Sequence, residues 1–103
     1  MKEMDILRLI QLALSEAGAV TWRNNCGSYT DPRSGSFVKF GIGNPGGSDL
    51  IGIFKGRFCA FEVKTAKGKP TDAQLNFINA VIANGGIAGV VRSPQDALDL
   101  LRG

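Results

Sequence analysis

Residues 46–64, GGSDLIGIFKGRFCAFEVK, limit what this chain can fold into more than any other stretch. They read as two short strands rich in Ile, Leu, Phe and Val, broken at Lys55-Gly56. A turn of two residues, Lys55 and Gly56, or of four, residues 54–57, gives the same antiparallel pairing. Phe54 then faces Arg57, Ile53 faces Phe58, Ile51 faces Ala60, and Asp49 faces Glu62. Side chains alternate between faces of a strand. Asp49, Ile51 and Ile53 therefore share a face with Phe58, Ala60, Glu62 and Lys64. Opposed residues in such a pair have Cβ atoms roughly 4.5–5.5 Å apart, and like charges so placed destabilise a sheet. A divalent cation with oxygen ligands relieves that repulsion. Two acids and an amine around a metal form a site able to cleave a phosphodiester. The same residues also fit an ordinary amphipathic hairpin with polar ends. A three-residue bulged turn would shift the register by one and send the two carboxylates to opposite faces.

With 103 residues the expectation is a single domain, 1–103, with one core. Apolar residues at 44% and charged residues at 20% are ordinary for a globular chain. No run approaches the roughly 18 apolar residues of a membrane span, and none has the order of a signal peptide. We therefore expect a cytoplasmic protein without a membrane partner. Cys26 and Cys59 form no CxxC pair. Cys59 falls on the hairpin face opposite Glu62, where core packing is its expected role. Histidine is absent. Ser-His-Asp and Cys-His catalysis and His-based zinc sites are thereby excluded, so hydrolysis here must rely on carboxylates, lysine and hard cations. The net charge of +3 is uneven: residues 23–69 hold eight Lys/Arg against three acids, and the two ends hold four against six. A basic middle suits a polyanion.

Residues 4–17 read as a helix with Ile6, Ile10, Ala13, Leu14 and Ala17 at helical spacing, stopped by Gly18. Leu7, Leu9 and Leu12 add a second apolar side, available to a dimer contact or a deeper core. Glu3 and Asp5 complement the helix dipole. Residues 19–23 read as a short strand, with Trp22 in the core or anchoring the strand end. Residues 24–47 read as a long loop with a short strand at 36–40. Arg23, Arg33 and Lys39 are placed there to meet phosphates, and loops of this length are usually functional. Thr65 to Pro70 form a basic loop carrying Lys67 and Lys69. Thr71-Asp72-Ala73-Gln74 matches a capping box and opens a second helix, with Leu75, Ile78, Val81 and Ile82 as its buried stripe. A buried strand over 87–92 and a short helix over 94–101 close the chain, the latter with Ala97, Leu98 and Leu101 inward. This order gives an α/β domain, a mixed sheet with helices on its faces.

Asp49, Glu62-Val63-Lys64 and Gln74 together resemble the PD-(D/E)XK nuclease superfamily. The closer similarity is to the virus-type replication–repair nuclease (VRR-NUC) domain, in its small stand-alone phage form. The likeness runs over nearly the whole chain: a leading helix, AVTWRNNCG, GNPGGSDLIGIFKGRFCAFEVK, GKPTDAQ and GGIAGVVRSPQDALDLL. It implies a restriction-endonuclease-like core and a metal-dependent DNA endonuclease similar to Holliday-junction resolvases, acting in DNA repair as a homodimer on branched DNA. If phage-encoded, it would work in the host cytoplasm. By the same likeness Asp49, Glu62 and the Val63 carbonyl would bind Mg²⁺ or Mn²⁺. Lys64 would position or activate the attacking water, and Gln74 would approach the site. The acid near the start of the first helix would be Asp5, with Glu3 as the fallback. The chain departs from the family pattern twice: Ser48 precedes Asp49 where Pro is frequent, and Asp5 stands where Glu is usual. A catalytically weak DNA-binding module of the same fold is the competing reading.

Overall fold

The computed structural model describes residues 1–103. In chain order it contains α1 (Glu3–Glu16), β1 (Val20–Arg23), β2 (Gly27–Thr30), β3 (Phe37–Phe40), β4 (Leu50–Phe54), β5 (Arg57–Val63), α2 (Asp72–Ala83), β6 (Ile87–Val91) and α3 (Pro94–Arg102). The α/β class expected from the sequence is the class adopted. A mixed four-stranded sheet runs β1-β4-β5-β6 and is flanked by three helices. β1/β4 and β4/β5 are antiparallel, and β5/β6 are parallel.

The β4–β5 hairpin sets the register of everything else. Lys55 and Gly56 have φ of 49° and 78°. This left-handed pair makes the two-residue turn whose twist matches its flanking strands. Leu50 pairs with Phe61, Ile51 with Ala60, Ile53 with Phe58 and Phe54 with Arg57, so the expected register holds and no bulge intervenes. One sheet face carries Leu50, Cys59, Phe61 and Val63, packed with Ile6, Leu7, Ile10 and Leu14 of α1 and Ala97 of α3. The other face carries Ile51 and Ala60, covered by Ile78 and partly by Phe77 and Val81 of α2. Cys59 is fully buried, as its position on the face opposite Glu62 implied.

Three expectations need correction. First, residues 24–47 are not a loop with one strand: Gly27–Thr30 is a strand as well, paired antiparallel with Phe37–Phe40 in a separate two-stranded sheet. Its sequence, GSYT, has Tyr29 as its one large side chain, too little to signal a strand. Second, the buried stripe of α2 is Phe77, Ile78 and Val81, whereas Leu75 and Ile82 are exposed. The helix covers only β5 and β6, and residues 75 and 82 lie one step further round its axis. Third, of the two places expected for Trp22 the core is excluded: it is about half exposed, because β1 is an edge strand whose α2-side face no helix covers. In α1, Leu7 turns into the core while Leu9 and Leu12 stay outside, and Ala17 is exposed at the helix end. No helix is long and apolar enough to cross a membrane.

Candidate metal and phosphodiester site

The site lies on the α2 side of the sheet, at the end where the β4–β5 hairpin opens. Asp49 immediately precedes β4, and its carboxylate accepts a hydrogen bond from the Val63 N–H (Oδ2, 2.8 Å). That N–H lies at the end of the β4–β5 ladder, so a side chain completes the pairing where the backbone of β4 has stopped. Glu62 faces Asp49 from β5 and is 1% exposed. Lys64, two residues on, turns back so that its Nζ lies 3.7 Å from Glu62 Oε2. Asp49, Glu62 and Lys64 are thus brought together on one face, as the hairpin register requires.

Glu62 is the unusual member. Its Oε1 is buried and has no hydrogen-bond partner. Burial pushes its carboxyl up to about 8, helped by a hydrogen bond and like charge from Asp49; the Lys64 ammonium pulls the other way. A buried carboxylate oxygen without a protein partner, beside a second carboxylate, fits a hard cation. No three His, Cys, Asp or Glu side chains converge to enclose an ion. Two carboxylates nevertheless suit Mg²⁺, which is usually held by one or two, with water and substrate phosphate completing its shell. Ser48 Oγ, next to Asp49, is also buried and unpartnered.

The remaining expected residues are placed as follows. Val63 sits at the site and donates its N–H to Asp49, which leaves its carbonyl role an expectation. Gln74 is half-buried at the start of α2; its Oε1 accepts from the Thr71 N–H (2.9 Å) in the capping box. Its side-chain carbonyl is committed to the cap, which leaves its approach to the site an expectation. Asp5 is not brought in: it is exposed and its carboxylate accepts from the Lys2 N–H (3.1 Å) at the start of α1. Glu3 shares the helix face of Leu7, Ile10 and Leu14, and its charge is the last of those that raise the Glu62 carboxyl. The helix acid nearest in electrostatic terms is therefore Glu3. Arg23, Arg33, Lys39, Lys67 and Lys69 are all exposed. Arg23 Nη2 donates to Asn25 Oδ1 (3.3 Å).

Two residues that sequence reasoning passed over hold the site in shape. Asn24 donates through Nδ2 to the carbonyls of Ile42 (2.8 Å) and Ser48 (3.0 Å), and its Oδ1 accepts from the Ile42 N–H (2.9 Å). It thereby pins the loop that delivers Asp49, whose own carbonyl accepts from the Asn24 N–H (2.8 Å). Arg92 Nη1 donates to the carbonyls of Thr65 and Gly68 and so shapes the basic loop leaving Lys64. A polar Asn in an irregular stretch and an Arg ending a buried strand carry no linear pattern that would single them out.

The same loop rests on α2 at Gly46, which has φ of 91°. A Cβ there would overlap the Ala73 carbonyl. Gly46→Ala should cost roughly 1–3 kcal/mol through overpacking and left-handed strain. Thermal unfolding should show a Tm fall on the order of 10 °C; an unchanged Tm would mean that the loop does not seat on α2.

Scans against protein-family models and against curated proteins found no match for this chain.

Proposed function

We propose that the protein is a Mg²⁺- or Mn²⁺-dependent DNA endonuclease, selective for branched DNA in the manner of a Holliday-junction resolvase. The observation that carries this reading is the buried, unpartnered Glu62 carboxylate oxygen facing Asp49, with Lys64 alongside. Evolution of a purely structural hairpin has no use for opposed carboxylates here, because apolar residues would pack better. The resemblance to the VRR-NUC domain supports the same reading through the same residues.

Asp49, Glu62 and the Val63 carbonyl would hold the cation, which supplies positive charge to the scissile phosphate and makes water a better nucleophile. Lys64 would supply an ammonium beside Glu62, to orient the attacking water and offset charge building on the phosphate. Glu3 adds negative potential from α1, and Gln74 would approach the site from α2. Arg23, Arg33, Lys39, Lys67 and Lys69 would hold the DNA backbone on either side. The products are a 5′-phosphate and a 3′-hydroxyl.

A homodimer would offer two such sites to two strands. Its support is the part of the α2-side sheet face that α2 leaves uncovered, where Val20, Ile53 and Phe58 line up across β1, β4 and β5 beside Trp22, all substantially exposed. A row of large apolar side chains left exposed in this way suits a contact with a second copy. The enzyme would work in the cytoplasm, the host's if it is phage-encoded.

The test is cleavage of a synthetic four-way junction beside a matched linear duplex, with Mg²⁺, with Mn²⁺ and with chelator. We expect cutting only with metal and faster on the junction. Failure to cut either DNA in either metal would overturn the nuclease reading. The second reading, a DNA-binding module without chemistry, has one observation in its favour: the Val63 N–H already occupies one Asp49 carboxylate oxygen. It predicts tight, steeply salt-dependent binding without cleavage.

A further inference from the structure

We infer that the β2–β3 ribbon is a wedge that enters a DNA branch point and stacks an unpaired base on each of its two faces. This inference rests on the nuclease reading above and names how the substrate is engaged.

The ribbon makes no substantial packing with any helix or with the main sheet. Its register pairs Tyr29 with Val38 and Thr30 with Phe37. Opposed residues share a face and successive ones alternate, so Tyr29 and Phe37 stand back to back on opposite faces. They are 55% and 64% exposed. An isolated hairpin has no folding reason to carry a bare aromatic on each side. Stacking on an aromatic ring is open to every base, since each has a π-face.

Charge selects nucleic acid over an apolar partner. Arg33 is at the tip, Lys39 shares the face of Phe37, and Arg23 stands at the base of the ribbon. The one acid, Asp31, is spent in the tip turn: its Oδ1 accepts from the Arg33 N–H (2.9 Å), and its backbone bonds Ser36 and Gly35 (both 2.8 Å). The ribbon therefore presents cations and aromatic rings to a ligand. It is also stiff at its root, where the Phe40 ring lies over Gly27 and Asn44 Nδ2 ties the Gly27 and Phe40 carbonyls together (both 2.7 Å).

Both ends of the ribbon lead into the site. Residues 24–26 enter it beside Asp49, and residues 41–48 return to Asp49 through the loop that Asn24 pins. At roughly 3.4 Å per residue the paired strands Gly27–Thr30 and Phe37–Phe40 carry the tip about 14 Å from the root of the ribbon. Bases already unpaired cost least to stack on such a wedge, so the device favours a branch over a continuous duplex.

The test is a binding cycle on the full chain in chelator, where nothing is cut. The probes are a flap DNA, the same flap with abasic nucleotides at its first unpaired positions, and a linear duplex. Wild type should lose about tenfold or more in affinity for the flap when those bases are removed. The double variant Tyr29→Ser, Phe37→Ser should lose the flap preference and be indifferent to the abasic change, whereas Tyr29→Phe, Phe37→Tyr should keep both. Equal wild-type affinity for intact and abasic flap would overturn the wedge, and needs no variant to fold. Loss of dimer mass in the Ser variant, with no abasic effect in wild type, would make the ribbon a contact between copies and also overturn it. Cleavage without base dependence would leave the nuclease reading standing alone. Base dependence without cleavage in any metal would retain the wedge and remove the nuclease.

Discussion

Glu62→Gln should abolish cleavage and, at the same time, make the protein more stable. Gln keeps the shape of Glu but gives the buried position no charge to desolvate, and its amide nitrogen could donate to the facing Asp49 carboxylate. Loss of one anionic ligand removes several kcal/mol of transition-state stabilisation, a fall of ~10³-fold in rate. The stabilisation follows from burial: Glu62 is 1% exposed and one of its oxygens is unpartnered, so its ionised form is costly when no cation is bound. The readouts are cleavage of the four-way junction and Tm at pH 8 in chelator, with flap binding as a control for folding. Loss of activity with a raised Tm is the pattern of a residue kept for chemistry at a cost to the fold. A variant that cuts at the wild-type rate would remove Glu62 from the site. One with lower Tm would mean that the carboxylate is held by the protein alone.

The second large effect is on stability against pH. The Glu62 carboxyl is raised from 4.5 to about 8, first by burial and then by Asp49. A folded-state pKa above the unfolded one means that the native state holds more protons between those values. Stability from this group is therefore full below about pH 4.5 and is lost as pH rises through about 8. A shift of this size amounts to a few kcal/mol. In chelator, Tm should fall between pH 5 and pH 8, and Glu62→Gln should flatten that slope. Mg²⁺ should act in the opposite sense. It requires the ionised carboxylate, so its binding competes with the proton. Saturating Mg²⁺ should raise Tm by mass action, and the increment should grow from pH 6 to pH 8. An increment that is absent, or independent of pH, would place the cation elsewhere.

Much of this was legible in the chain because it is local. The hairpin register follows from a tight turn and strict alternation, and it alone brings Asp49, Glu62 and Lys64 to one face. The capping box at Thr71 and Gln74 is likewise a matter of four adjacent residues, and it formed as read. What escaped was long-range. Strand Gly27–Thr30 exists because Phe37–Phe40 lies across from it, not because GSYT favours extension by itself. The preference between Glu3 and Asp5 depends on which face of α1 meets the sheet, and Leu7 turning inward decided that. Asn24 acts through carbonyls 18 and 24 positions away, and no spacing rule reaches that far.

The two sulfurs sit in opposite surroundings. Cys59 is sealed in the core, and burial lifts its thiol to about 11. Cys26 is exposed at the root of the ribbon, its thiol raised first by partial burial and further by the negative field of Asp49 and Glu62. An alkylating dye or spin label thus has a single address on the native chain, without engineered cysteines. That address lies where the arm joins the acids, so a label there would register motion of one relative to the other.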